Sequence, residues 1–197
     1  MDAVIIDSGG ANLASLQFAF ERLGARTQVS ADVATIRSAP RVILPGVGAA
    51  ANAMQRLHNS GVAALLPTLK QPVLGICLGM QLLFQHSEEG ATDCLGIIPG
   101  MVRCLRPAPG LPVPHMGWNQ LAALRDDPLL AGIRAGEYVY FVHGYAAAVS
   151  PHTLASTEYG TAVSAVVRKA NFWGTQFHPE RSAGAGARVL ANFLRLQ

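Results

Sequence analysis

Gly75-Ile76-Cys77-Leu78-Gly79 sets a thiol between two glycines at the spacing G-x-C-x-G. The apolar run Val73-Leu74-Gly75-Ile76 reads as a buried strand leading into it, and Leu78 to Phe84 read as the helix that comes next. A nucleophile on so sharp a strand-to-helix turn stands above the sheet edge, and glycines beside it avoid the clashes a Cβ would make. The amino end of the next helix also favours a thiolate. The bland alternative is a small buried core cysteine. Two glycines at this spacing, after a clear strand, weigh against it.

A thiol nucleophile needs a base. Phe177-His178-Pro179-Glu180 offers a histidine at the end of an apolar strand, kept extended by the proline, with a carboxylate two residues on. Glu180 can turn back to hold one imidazole nitrogen and leave the other for the thiol, as Cys-His-carboxylate catalysis requires. The other histidines (His58, His86, His115, His143 and His152) lack such a companion and read by default as structural or solvated. Acyl transfer also needs donors for a developing oxyanion. The backbone N–H of Leu78 is one candidate. The loop Pro45-Gly46-Val47-Gly48, with Gly46 and Val47 at its centre, is the other, after a strand expected to neighbour that of Cys77. An ordinary strand-to-helix turn remains a second reading of that loop.

The elements that must position these groups alternate in the first half. Val4-Ile5-Ile6 reads as a strand and Leu13 to Leu23 as a helix, with Asn12 at its N-cap and Gly24 as its stop. Arg41 to Leu44 form a second strand. An alanine-rich helix comes after it with Met54 and Leu57 inward, then a short helix over Val62 to Leu69. From Ile97 to Val167 the pattern changes to short alternating segments: Met101 to Leu105, Tyr138 to Val142, Leu154 to Thr157 and Ala162 to Val167. Phe172 to Phe177 read as a further strand, and Ala185, Val189 and Phe193 mark a last amphipathic helix. The expected fold is α/β, with a mostly parallel central sheet flanked by helices and added antiparallel strands. No linker or repeat divides residues 1–197, so a single domain is expected.

Composition narrows the class. Charged residues make up 14% of the 197, well under the roughly 25% of an average globular chain. A large buried fraction or a partner-covered face would each account for that. The net charge is +3, and the basic residues are scattered singly, unlike a nucleic-acid footprint. Cys77, Cys94 and Cys104 are an odd, sparse set, poor as a disulfide framework and without metal-site spacing. The start Met1-Asp2-Ala3-Val4 has no basic signal-peptide region. The longest apolar runs fall far short of the ~18 residues of a membrane span. A soluble, cytoplasmic protein is expected.

Gly75-Ile76-Cys77-Leu78-Gly79-Met80-Gln81 with Phe177-His178-Pro179-Glu180 resembles the class I glutamine amidotransferases. The closer resemblance is to the glutaminase subunits of imidazole glycerol phosphate synthase. It rests on Leu44 to Gly48, Pro114-His115-Met116-Gly117-Trp118-Asn119, Tyr138 to Tyr145 and Pro179 to Ser182, and runs from near residue 4 to the C-terminus. The triad motif marks only the superfamily; the His-Met-Gly-Trp-Asn and Phe-Val-His segments are far more specific.

The resemblance implies that Cys77 attacks the side-chain amide of glutamine, that His178 moves the proton and that Glu180 orients His178. Gly48, Gln81, His143, Gly144 and Tyr145 would hold the substrate. Ammonia would pass to a (β/α)8-barrel cyclase partner, contacted through Tyr138, Trp118 and Arg181. There it would react with a phosphorylated ribulosyl aminoimidazole carboxamide, giving imidazole glycerol phosphate and an aminoimidazole carboxamide ribotide. Neither a cofactor nor a metal is implied, and no nucleic acid or membrane. The glutaminase would stay nearly silent until the cyclase binds its own ligand. For both aromatics, core packing is the competing reading.

Four positions, Ser8, Ala11, Gly144 and Arg181, depart from the pattern. The first loop reads Asp7-Ser8-Gly9-Gly10-Ala11-Asn12-Leu13 and lacks the family's tyrosine and second glycine. Gly144 stands where a hydroxyl residue is common. Arg181 replaces a common lysine, keeping the charge but changing its geometry. Rival readings are an anthranilate synthase glutaminase, a γ-glutamyl hydrolase, or an interaction protein with a relict site. The first usually has histidine in place of Met80. The second needs no synthase partner, and the complete Cys77, His178, Glu180 set weighs against the third.

Overall fold

The computed structural model describes residues 1–8 and 13–197. Asn12, expected as a helix cap, and Gly9-Gly10-Ala11 of the first loop lie outside the described residues. In chain order the elements are β1 (Ala3–Ile6), α1 (Leu13–Arg22), β2 (Thr27–Ser30), α2 (Val33–Ser38), β3 (Val42–Leu44), α3 (Ala50–Asn59) and α4 (Val62–Leu65). Then come β4 (Val73–Ile76), α5 (Leu78–Gln81), β5 (His86–Ser87), β6 (Thr92–Asp93), β7 (Met101–Cys104) and β8 (His115–Gln120). The chain continues with β9 (Tyr138–His143), β10 (Tyr145–Ala147), β11 (Thr153–Glu158), β12 (Ala162–Lys169), β13 (Phe172–Thr175) and α6 (Ala183–Phe193).

Among the described residues a seven-stranded sheet runs in the order β11-β12-β13-β4-β3-β1-β2. The pairings from β2 through β13 are parallel, and β12 and β11 add to that edge antiparallel. The expected α/β fold is therefore present. Its inner strands β1, β3 and β4 are buried on both faces, which is why they read as unbroken apolar runs. Ile5, Ile43 and Leu74 face one core with Phe20 of α1 and Val189 and Phe193 of α6. Their neighbours Val4, Ile6, Val42, Leu44 and Val73 face a second core with Ile36, Met54, Leu57 and Met80. The period of two in each strand distributes these side chains between the layers.

Two smaller sheets stand beside this body: β10-β7-β5-β6, and the ribbon β8-β9. A buried carboxylate, Asp127, braces the antiparallel edge. Asp127 accepts from Arg168 Nη1 at 2.7 Å, Trp173 Nε1 at 3.0 Å and the Leu129 N–H at 2.8 Å. Among the described residues no helix is long and apolar enough to cross a membrane.

The sequence reading passed over β2, α2, β5, β6, β8 and β10. Edge strand β2 is only partly buried and carries no alternation, and β5 and β6 are two residues each. Two predicted elements are shorter than expected. The helix after Cys77 stops at Gln81, because the N–H groups of Leu83 and Phe84 bond three residues back to Met80 and Gln81. The strand from Phe172 stops at Thr175, because the His178 N–H crosses to the Tyr140 carbonyl at 2.9 Å.

Candidate active site

Strands β3, β4 and β13 are adjacent and parallel, with Gly75 opposite Leu44 and Ile76 opposite Thr175. The segments leaving these strands therefore emerge at one carboxyl edge, where open α/β sheets bind ligands. The Pro45–Gly48 loop leaves β3, Cys77 leaves β4, and His178 comes after β13.

Cys77 sits at φ 54 and ψ −112, a conformation rare for a residue with a Cβ. Its N–H bonds to the Thr175 carbonyl at 2.7 Å, and its own carbonyl accepts from the Gln81 N–H at 3.2 Å, which together clamp the turn. The flanking glycines are required by close approach. A Cβ on Gly79 would stand 1.8 Å from the Leu44 carbonyl oxygen, and one on Gly75 2.6 Å from the Gly79 carbonyl oxygen. The thiol is 7% exposed, with Sγ 3.7 Å from the Val142 carbonyl and 3.9 Å from Gln176 Nε2.

His178 Nδ1 and Glu180 Oε1 are 2.8 Å apart, with both side chains buried. Ser182 Oγ donates to the His178 carbonyl at 2.6 Å and accepts from the Tyr140 N–H at 2.9 Å, so the histidine backbone is held. Nε2 is buried and has no partner of full hydrogen-bond geometry. Burial disfavours the charged ring, but the looser contact with the Cys77 thiol and the bond to Glu180 outweigh it and raise its pKa to about 10.

Leu78 is the first residue of α5, where a helix leaves its N–H groups without partners of its own. The Gly46 backbone lies against it: a Cβ there would be 2.8 Å from the Gly79 nitrogen and 2.9 Å from Leu78 Cβ. Thus the two candidate oxyanion segments touch.

A cavity of about 390 Å³ opens on this edge. Cys77, His178 and Glu180 line it, as do Gly46, Val47 and Leu78 and all of Gly48, Gln81, His143, Gly144 and Tyr145. Gln81 donates to the Tyr145 carbonyl at 2.8 Å and to Gln176 Oε1 at 3.0 Å. Arg181 also lines the cavity and stacks 5.0 Å over the Tyr140 ring. Tyr138 and Trp118 do not line it. They stand on the β8–β9 ribbon at 55% and 52% exposure, which removes the core reading for both.

Two polar residues at the site escaped the sequence reading. Glu89 lines the cavity, and its Oε2 accepts from the Ala50 N–H at 2.8 Å. Nothing in the spacing of Ser87-Glu88-Glu89 pointed to it. Gln176 is fully buried beside the thiol, and an amide inside the apolar run Phe172 to Phe177 was the signal that could have found it. His86 needs a correction, since it does have a carboxylate companion. Asp93 lies 2.9 Å from its Nδ1 across the β5–β6 pair, with the Asp93 side chain 97% exposed, so the pair is solvated.

Residues 4–196 match the family model for glutamine amidotransferase class-I. Proteins named imidazole glycerol phosphate synthase subunit HisH are similar over 99% of this chain and 98% of their own length. They include those of Xanthomonas campestris pv. campestris (strain 8004) at 55% identity, Xanthomonas euvesicatoria pv. vesicatoria (strain 85-10) at 54%, and Xylella fastidiosa (strain Temecula1 / ATCC 700964) at 51%. Among solved structures, a putative GMP synthase subunit from Thermoplasma acidophilum shares the fold, with TM-score 0.76 at 18% identity over 98% of this chain and 91% of that one. A structure described as a glutamine amidotransferase gives TM-score 0.75 at 16% identity over 97% and 96% of the two chains. With a family model matched almost end to end, and relatives above half identical over the same span, this chain belongs to the class I glutamine amidotransferases, in the HisH group of imidazole glycerol phosphate synthase subunits.

Proposed function

We propose that this chain is the glutaminase subunit of an imidazole glycerol phosphate synthase, acting as one domain over residues 1–197. The observation that carries the reading is Cys77 at a left-handed φ, in the same cavity as the buried His178–Glu180 pair. The raised pKa of His178 keeps the thiol proton on its Nε2, and Cys77 Sγ attacks the side-chain amide carbon of glutamine as the thiolate. Glu180 holds Nδ1–H, which fixes the tautomer and ring orientation. The oxyanion is met by N–H groups of Leu78 and the Gly46–Val47 segment. Collapse breaks the C–N bond, and His178 gives its proton to the departing ammonia. Water, deprotonated by His178, then hydrolyses the glutamyl thioester, releasing glutamate and restoring the thiol.

Gly48, Gln81, His143, Gly144 and Tyr145 form the substrate walls. Glu89 supplies a carboxylate for the α-ammonium group of glutamine. With Gly144 in the wall, no side-chain hydroxyl is offered there, and backbone groups make that contact.

Ammonia passes to a (β/α)8-barrel cyclase subunit in a cytoplasmic heterodimer. There it completes synthesis of imidazole glycerol phosphate and the aminoimidazole carboxamide ribotide for histidine biosynthesis. Exposed Trp118 and Tyr138, with Arg181 at the rim, form the docking face, consistent with the low charge of the chain. Rotation of a peptide in Pro45–Gly48 on cyclase loading switches the glutaminase on.

The test is to combine the chain with the cyclase, add glutamine with and without the cyclase ligand, and measure glutamate. Glutamate rising with the ligand is the expected result. No glutamate under any condition overturns the reading, and equal rates without the partner favour a free-standing γ-glutamyl hydrolase.

A further inference from the structure

Three side chains outside the reacting groups form a directed hydrogen-bond chain into the cavity wall. His143 Nδ1 is 2.8 Å from the Tyr145 carbonyl, an acceptor only, so Nδ1 carries the proton and Nε2 must accept. His115 Nδ1, 3.0 Å from that Nε2, therefore donates, and His115 Nε2 is left as an acceptor. Asn119 Nδ2 faces it at 3.3 Å. The Asn119 amide cannot be turned over without loss. Its Nδ2 also donates to the Glu158 carbonyl at 2.8 Å, and its Oδ1 accepts from the Gln120 N–H at 2.8 Å. Hence the Tyr145 carbonyl fixes the tautomer of His143, and the Asn119 amide holds His115 in the tautomer that donates to it.

The geometry is built for this contact. Residues four apart on an ideal strand are separated by roughly 13 Å. Gly117 stands between them at φ 136, and Asn119 Nδ2 nevertheless comes within 3.3 Å of His115 Nε2. His115 is stacked between Tyr159, with centroids 3.9 Å apart, and Phe141, at 4.8 Å. The Tyr159 hydroxyl is itself tied to the Pro112 carbonyl at 2.7 Å. At the far end, the Tyr145 carbonyl receives both His143 and Gln81, two residues of the cavity wall.

We propose that Asn119 is a positioning residue: it locks His115 in the neutral Nδ1–H form, so that His115 donates to His143 Nε2 and the His143 ring, held at its other nitrogen by the Tyr145 carbonyl, pins the Gly144–Tyr145 wall and Gln81 in the shape that accepts glutamine. This extends the glutaminase reading above. A proton added at either ring would end on His115 Nε2, against the Asn119 amide hydrogens. Burial already holds both rings near pKa 4. The titratable groups facing the pair are His178, whose charge acts on His143, Tyr159 stacked on His115, and Tyr145. Glu158 contributes its carbonyl, not its carboxylate.

The test is imidazole ¹⁵N NMR of the full chain, joined to glutaminase kinetics of the complex with its cyclase. The wild-type spectrum at neutral pH should show Nδ1–H on both His115 and His143, unchanged down to about pH 5.5, below the ordinary histidine range. In Asn119→Asp the carboxylate can accept an Nε2–H, so His115 should become protonated near neutral pH. The KM for glutamine should then rise roughly tenfold as the pH is lowered, with kcat little changed. Asn119→Ala removes the lock without adding a charge, so His115 should populate Nε2–H, its donor to His143 should be lost, and KM should rise at all pH values. An Nε2–H tautomer on either ring in the wild type overturns the proposal, as do an unshifted His115 in Asn119→Ala and an unchanged KM in variants whose tautomers have shifted. Absence of any glutaminase activity in the wild type would instead count against the functional reading, since the tautomers are read without substrate.

Discussion

Gly79→Ala puts a methyl group where the end of β3 already is. Its Cβ would lie 1.8 Å from the Leu44 oxygen, 2.8 Å from the Leu44 carbonyl carbon and 3.3 Å from Leu44 Cγ. The first two are backbone atoms, so no rotamer relieves them, and β3 must part from the elbow by more than an ångström. Overpacking of a core costs about 1–3 kcal/mol, and this contact with two backbone atoms falls at the upper end. For a chain of this size about 3 kcal/mol lowers the melting temperature by roughly 6–12 °C. The displacement falls on Leu44, just before the Pro45–Gly48 loop proposed to supply an N–H to the oxyanion. A misplacement of that size costs about 100-fold in rate. Gly184→Ala is the control. It stands in α6 with nothing within 4 Å of its would-be Cβ, and should gain about 0.5–1 kcal/mol. Thermal melts by circular dichroism and glutamate release from the ligand-loaded complex are the two assays. A Gly79→Ala protein that melts with the wild type and turns over within threefold of its rate would refute the reasoning.

Other expectations rest on single contacts. Cys77→Ala should abolish glutamate formation while leaving the melting curve and cyclase binding near wild type, measured by calorimetry; residual turnover would point to another nucleophile. Glu89→Gln should raise the KM for glutamine more than it lowers kcat, and equal loss in both would place Glu89 in the chemistry instead. His143, 5% exposed, has its pKa lowered to about 4, chiefly by burial and then by the charges of His115 and His178, against the Tyr145 bond that raises it. Between about pH 4 and the ordinary 6.5 the unfolded chain binds the extra proton, so this group's stability is present above pH 6.5 and lost as pH falls, by about 3 kcal/mol in all. Urea unfolding of wild type and His143→Gln should therefore converge in stability as pH drops through that window, and parallel curves would contradict it. Trp118→Ala and Tyr138→Ala should weaken cyclase binding about tenfold or more without lowering the melting temperature of the free chain, because both rings are exposed there.

Much of the sheet was legible because its strands are buried on both faces. Val4-Ile5-Ile6, Val42-Ile43-Leu44 and Val73-Leu74-Gly75-Ile76 have no polar side to disguise them. Edge strand β2 and ribbon strand β8 were not legible, because they are half-exposed and interrupted by polar residues and, in β8, by Gly117.

At the site the division tracks sequence distance. The elbow glycines, the pairing of His178 with Glu180 and the Pro45–Gly48 loop are local, and residue type and spacing alone determined them. Strand order decided the rest. Because β3, β4 and β13 lie side by side and parallel, three segments far apart in the chain end at one edge. The same packing brings Glu89 into the cavity and Gln176 against the thiol, and turns Tyr138 and Trp118 outward. It also joins Asn119, His115 and His143, which no spacing could have paired. Their contact depends on the backbone at Gly117 and on the register between β8 and β9, which exist only once the chain is folded.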